Sequence, residues 1–223
     1  MIDQRPLPEI SRQVIQISHF LWERQWVANH EGNITVRLPG GRLLSTPTAI
    51  SKGDVSVNDL IIVDMFGRVI RGNRRPFGEM SMHLAVYEDR PDCGAVIHAH
   101  PPYSTAFAMA SREISGDFSP EFRVSIGKKV PLVPFALAGT QAMNNALKPF
   151  LKDFDCVLLE NHGLMAWGDD LTQARLRMEH CENYARILAL ASTLGPVKAL
   201  PETAKKILDD KRCAVFGPEG RRI

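Results

Sequence analysis

The chain has 223 residues, 44% of them apolar and 23% charged, which describes a globular protein long enough to bury a sizeable core. A formal net charge of +2 predicts no strong pull toward nucleic acid or a membrane surface, and no apolar run approaches the ~20 residues of a membrane-spanning helix. Cys93, Cys156, Cys181 and Cys213 have no C-x-x-C spacing, which argues against a disulfide framework or a zinc knuckle and fits reduced thiols. The polar start MIDQRPLPEI does not read as a signal peptide, so a cytoplasmic location is expected.

From about Glu9 to Ala28 the apolar residues Ile10, Val14, Ile17, Phe20, Leu21 and Val27 recur near helical spacing, and ANHEGN ends that helix with turn formers. ITVRLPGGRLLSTPT predicts two strands around Pro-Gly-Gly, and DLIIVDMFGRVIRG a similar pair turning at Phe66-Gly67. GEMSMHLAVYEDRP predicts a short helix closed by Pro91, GAVIHAH a buried strand and PYSTAFAMA a helix. KKVPLVPFA reads as extended and TQAMNNALKPFL as helical. DCVLLENHGLMAWG predicts two strands about an Asn-His-Gly turn, with Gly163 supplying a positive φ. Residues 171–194 form a long predicted helix with Asp169 and Asp170 at its favourable end. Tight turns between neighbouring strands imply a mixed or antiparallel sheet with helices packed on it. No Pro-rich or Ser-rich linker divides the chain, so residues 1–223 are expected to form one domain, with 209–223 a loose or intersubunit tail.

Seven histidines are present. His98 and His100 are two positions apart in a predicted strand, so they project from one face while Ala99 packs on the other. Two imidazoles do not complete a catalytic metal site, which typically has three protein ligands and an open position. His19, His30 and His180 sit in ordinary helical or turn contexts. His162, in ENHGL, is either part of a tight turn or a third ligand presented from a strand end. A cation held by three histidines would polarise a carbonyl, and the reaction would still need a proton acceptor. Glu79, in RRPFGEMSMH, is the best-placed carboxylate, with helix capping as the competing role. Burial beside Phe77 is expected to raise its pKa. His83, four residues on, is expected to pack beneath the site.

The succession of Gly32-Asn33, TPT, Glu79 at a helix start, AVIHAH and ENHGL resembles the class II aldolase/adducin family over roughly residues 10–195. The resemblance implies a three-layer α/β/α sandwich with a central, mainly antiparallel sheet, and a homotetramer with active sites between adjacent subunits. It implies that His98, His100 and His162 bind a divalent metal, usually zinc, with manganese, nickel and iron as alternatives. Glu79 is then the acid/base. The implied reaction is retro-aldol cleavage of a carbon–carbon bond in a small hydroxy-carbonyl substrate of carbohydrate metabolism, through a metal-bound enediolate or enolate. Dehydration, epimerisation and decarboxylation are alternatives on the same scaffold, and a non-catalytic adducin-like binding domain is another.

The sequence departs from the family pattern where the substrate would lie. Phe77 and Gly78 stand where two phosphate-binding serines usually precede the glutamate, and Ala49 replaces the glycine of TPTG. Asn33, Thr48, Phe77, Gly78 and Tyr103 are the expected substrate contacts. A carboxylate or an uncharged group becomes a more natural occupant than a phosphate, with Lys52, Arg74 or Arg75 as candidate cations. The tyrosine that the family takes from a neighbouring subunit is matched by Phe122, and the tail KRCAVFGPEGRRI has no tyrosine, which leaves Tyr103 as a stand-in donor.

Overall fold

Helix α1 (Leu7–Glu23) forms on the helical repeat of apolar residues and buries Ile10, Val14, Ile17 and Leu21 along one stripe. It ends about four residues earlier than its periodicity suggests. Gln25 takes a left-handed φ of 58°, and the Trp26 amide folds back onto the Leu21 carbonyl at 2.9 Å. The computed structural model describes residues 2–216.

Strands β1 (Asn33–Leu38) and β2 (Arg42–Ser45) form a hairpin whose turn uses Gly40 and Gly41 at φ 76° and 65°. Strands β3 (Ile61–Asp64) and β4 (Val69–Arg71) turn at Phe66-Gly67 as expected. Then follow α2 (Met80–Asp89), β5 (Ala95–Ala99), α3 (Pro102–Met109), β6 (Ile114–Ser115), α4 (Pro120–Ser125), β7 (Lys129–Val130) and β8 (Leu132–Val133). Pro131, which has no N–H to give a ladder, separates the last two. Helix α5 (Gln141–Leu147), strands β9 (Cys156–Leu159) and β10 (Gly163–Gly168), and helices α6 (Leu171–Leu194) and α7 (Glu202–Phe216) complete the chain. The Asp170 carboxylate caps α6 by accepting from the Gln173 amide.

The large sheet has the order β4-β3-β2-β1-β5-β10-β9-β8, and every pair is antiparallel except β8 with β9. Strand alternation divides its side chains between two cores. Ile34, Val36, Ala95, Ile97, Ala99, Leu164 and Ala166 pack with α1, α3 and α6. Val96, Val157, Met165 and Trp167 pack with α2 and α5 on the other face. This is the three-layer α/β/α arrangement. A fully buried Leu, Ile or Phe contributes roughly 1.5–3 kcal/mol, so the two cores supply most of the driving force. His98 lies two residues beyond Val96, so the same alternation directs it toward the α2 side.

Two helices were not anticipated from periodicity. Helices α4 and α7 pack together through Arg123, which grips Asp209 at 2.8 and 2.9 Å, and through Arg212, which donates to the Val124 carbonyl at 2.9 Å. Residues 209–216 of the expected loose tail are therefore helical and tethered, and 217–223 lie outside the described residues. Asp155 lies at the start of β9 between Arg90 and Arg177, each at 2.8 Å, and ties α2 and α6 to the sheet. Cys93, Cys156 and Cys181 are buried free thiols and Cys213 is exposed. Among the described residues no helix is long and apolar enough to cross a membrane.

Candidate active site

The histidines and Glu79 meet at one end of the sheet. His98 occupies β5, in register with Asn33 of β1 and Met165 of β10. His100 follows just beyond the strand, where its amide donates to the Trp26 carbonyl at 2.8 Å. His162 sits in the β9–β10 turn. The Nε2 atom of His98 is 3.1 Å from that of His100 and 3.2 Å from that of His162. One ligand nitrogen from each of the three lies within 4.8 Å of the others.

The outer ring atoms fix what the inner ones can do. His98 Nδ1 is 3.0 Å from the Leu164 carbonyl, which can only accept, so the proton sits on Nδ1 and the Nε2 lone pair faces the cluster. His100 Nδ1 lies 3.2 Å from Glu31 Oε2, with the same consequence. Two nitrogen lone pairs converging at 3.1 Å repel unless a cation lies between them. The donor set therefore fits a divalent cation that favours nitrogen.

The turn that presents His162 works differently from the sequence expectation. Asn161, at φ 57°, takes the left-handed position, and the His162 amide donates to the Leu159 carbonyl at 3.0 Å. Gly163 does not supply the positive φ. A Cβ there would lie 2.6 Å from the Ala99 carbonyl oxygen and 2.6 Å from His100 Cδ2. The glycine gives β10 and the histidine rings room to approach.

Glu79 immediately precedes α2 but makes no side-chain capping bond there, so its carboxylate is available to the cluster. Oε1 lies 2.9 Å from His162 Nε2, and Oε2 lies 3.6 Å from His98 Nε2 while accepting from Asn33 Nδ2 at 2.8 Å. Burial pushes the Glu79 pKa upward, but the adjacent His98 and the carboxylate's own hydrogen bonds to His162 and Asn33 more than offset this and hold the carboxyl well below its usual range, so the raised pKa expected beside Phe77 is not found. Burial lowers the His98 pKa to about 3, which keeps the ring neutral as a ligand must be.

His83 packs beneath, with Phe77 edge-on at 5.0 Å and Nδ1 2.8 Å from Thr35 Oγ1. Its complete burial lowers its pKa to about 3. Lys52 is also enclosed, 1% exposed, with Nζ 3.3 Å from the Ile50 carbonyl. Burial draws its pKa down to about 8 against the opposing pull of Glu79.

The other expected contacts divide. Asn33 touches Glu79 directly, and among the described residues its buried Oδ1 has no hydrogen-bond partner. Thr48 is half-buried and its amide donates to the Arg75 carbonyl at 3.0 Å, while Ala49 is exposed at φ 57°. Phe77 is buried. A Cβ on Gly78 would meet nothing within 4 Å. Tyr103 packs against the α6-side core and lines a cleft of about 860 Å³ with Trp26, His180 and Glu182; among the described residues no hydrogen bond joins it to the histidines. Phe122 is fully buried and stacked on Tyr184 at 4.1 Å, so it is a core residue, and its match to a donor facing a neighbouring subunit does not hold. Arg74 is engaged by Asp59 at 2.7 Å. Glu31, which touches His100, was legible in the sequence only as one of the turn formers of ANHEGN.

Residues 12–189 match the class II aldolase and adducin N-terminal domain. L-fuculose phosphate aldolase of Methanococcus maripaludis (strain C7) is 30% identical over 180 residues, covering 81% of this chain and 96% of that protein. 3-oxo-tetronate 4-phosphate decarboxylase of Haemophilus influenzae is 31% identical over 202 residues, covering 89% and 95%. A solved L-fuculose 1-phosphate aldolase superposes with a TM-score of 0.84 at 27% identity, covering 92% of this chain and 97% of the other. The chain belongs to the class II aldolase and adducin family and is an enzyme of the class II aldolase type.

Proposed function

We propose that the protein cleaves a carbon–carbon bond of a small hydroxy-carbonyl compound by retro-aldol chemistry at a divalent metal centre. His98, His100 and His162 are the metal ligands and Glu79 is the acid/base. The observation that carries this reading is the convergence of three imidazole nitrogens with a carboxylate 2.9 Å from one of them. A bound divalent cation supplies electrostatic stabilisation for negative charge that develops on substrate oxygens. Zinc is the expected ion for three imidazoles, with manganese, nickel and iron as alternatives.

The rest of the chemistry belongs to the chain itself. Glu79 takes the hydroxyl proton as the carbon–carbon bond breaks, and returns it to carbon. Asn33 holds Oε2, so that Oε1, beside His162 Nε2, is the oxygen that faces the cluster. Phe77 and neutral His83 form a dry floor that strengthens electrostatic interactions above it. Thr48 and Gly78 border the substrate's place, with Lys52 the nearest enclosed cation. The enzyme is expected to work as a homotetramer in the cytoplasm, and light scattering should report the mass of four chains.

Decarboxylation of a 3-oxo acid is the second reading. It is favoured by the decarboxylase relative, whose identity to this chain matches that of the aldolase relative. Both reactions leave an electron pair beside a carbonyl. Metal-loaded protein should be offered hydroxy-carbonyl compounds and 3-oxo acids, each with and without phosphate. An aldehyde product supports the first reading, carbon dioxide the second, and turnover of none of them contradicts both. Glu79→Gln should retain metal and lose at least about 100-fold in kcat; wild-type turnover by that variant would remove Glu79 from the mechanism.

A further inference from the structure

The segment from Trp26 to Asn33, the first residue of β1, meets the end of β5 and touches the site at several points. The Trp26 carbonyl accepts from the His100 amide at 2.8 Å, and Asn33 holds Glu79. Gly32, at φ 68°, permits the close approach, since a Cβ there would come within 2.5 Å of Val27 Cγ1 and 3.0 Å of the His98 carbonyl oxygen. Between them stands Glu31. Its Oε2 is 3.2 Å from His100 Nδ1 and also accepts from the Ala28 amide at 3.0 Å. The Glu31 amide in turn donates to the Ala28 carbonyl at 2.9 Å. The two contacts with Ala28 form a local turn that fixes a side chain 43% exposed with its carboxylate against His100.

We infer that Glu31 is a positioning residue of the metal centre: its carboxylate holds the proton of His100 on Nδ1, aims Nε2 at the cluster and strengthens that nitrogen as a donor. An ionised carboxylate can only accept, so His100 must present its N–H outward and its lone pair inward. A negative partner also stabilises positive charge that the ring acquires on giving its electrons to a cation, more than a neutral carbonyl does. His98 has the neutral version of the same contact, through Leu164. The two neighbouring imidazoles are therefore unequal ligands, and His100 is the more electron-rich.

The inference rests on the reading of the three histidines as metal ligands, and its test separates the two. Zinc affinity is measured by chelator competition for wild type, Glu31→Ala and Glu31→Gln. The His100 tautomer is read by long-range ¹H–¹⁵N NMR on the metal-free proteins. Glu31→Gln keeps an oxygen acceptor for the Ala28 amide and removes the charge, so it isolates the electrostatic part. The expected result is a 10–100-fold loss of zinc affinity in Glu31→Ala and a smaller loss in Glu31→Gln. His100 should be Nδ1–H in the wild type and shift toward Nε2–H in Glu31→Ala, with little change in the melting temperature of the metal-free protein. Zinc affinities within twofold of wild type in both variants would overturn the inference. So would an unchanged tautomer, or an affinity loss matched by a lowered melting temperature, which would make Glu31 a loop-stabilising residue. A wild type that binds no zinc would overturn the metal reading itself, and the tautomer comparison would still decide whether Glu31 sets the proton position on His100.

Discussion

At Gly163 a single added methyl would strike both a backbone oxygen and an imidazole carbon at 2.6 Å. Gly163→Ala should therefore cost about 1–3 kcal/mol in urea unfolding through overpacking and also weaken metal binding, because β10 and His100 cannot both keep their places. Ala49 presents the opposite case. Its φ of 57° is a conformation that a side chain disfavours by about 1–2 kcal/mol, so Ala49→Gly should raise the melting temperature or leave it unchanged. A lowered one would contradict the account of this turn. The single-residue features differ in how far the sequence discloses them. His98 and His100 were legible together because strand alternation puts i and i+2 on one side. His162 could be joined to them by resemblance to a known family, and pattern alone left it open. Glu31 was not legible, because its meeting with His100 depends on how a loop folds over a strand 69 positions away.

Among the elements, β5 is the organising one: it pairs with β1 and β10, and so brings Asn33 and the His162 turn to its histidines. Most strands and helices could be read from periodicity. Helix α7 could not, since it has no buried residues of its own and is held to α4 by ion pairs and carbonyl contacts. The early end of α1 was equally hidden, because Gln25 adopts a left-handed turn that no glycine announces. The junction of α2, β9 and α6 depends on Asp155, buried between Arg90 and Arg177. Asp155→Ala leaves the buried Arg177 without its carboxylate and Arg90 with Asp92 alone, and should destabilise the protein by about 3–5 kcal/mol in urea titrations. A loss below about 1 kcal/mol would show that this junction is held by packing instead. Helix α2 also carries His83, whose burial depresses its pKa from 6.5 to about 3. Above pH 6.5 both folded and unfolded chains leave it neutral. As pH falls below 6.5 toward 3 the unfolded chain takes up a proton that the folded chain refuses, so stability is lost at up to about 1.4 kcal/mol per pH unit. Urea titrations at pH 7 and pH 5 should show that loss in the wild type and a smaller one in His83→Gln.

For the molecule as a whole, the sheet separates two duties. One face packs against α1, α3 and α6, and the other places Phe77, His83 and Glu79 beside the histidines. A mixed or antiparallel sheet with helices packed on it was legible because tight turns between strands require antiparallel neighbours, and the three-layer arrangement followed from the resemblance to a known family. The identity of the substrate was not, because Phe77 and Gly78 stand where the resemblance to the family leads one to expect two serine hydroxyls. Gly78 leaves room for them: Gly78→Ser should fold as the wild type does and favour phosphorylated substrates. The central claim is that three distant histidines hold one ion, and metal content per chain tests it most directly. Wild-type protein saturated with zinc and desalted should retain close to one ion per chain, and His98→Ala, His100→Ala and His162→Ala should each lose it. A wild type that retains none, or a folded His162→Ala variant that keeps a full equivalent at wild-type affinity, would contradict the claim.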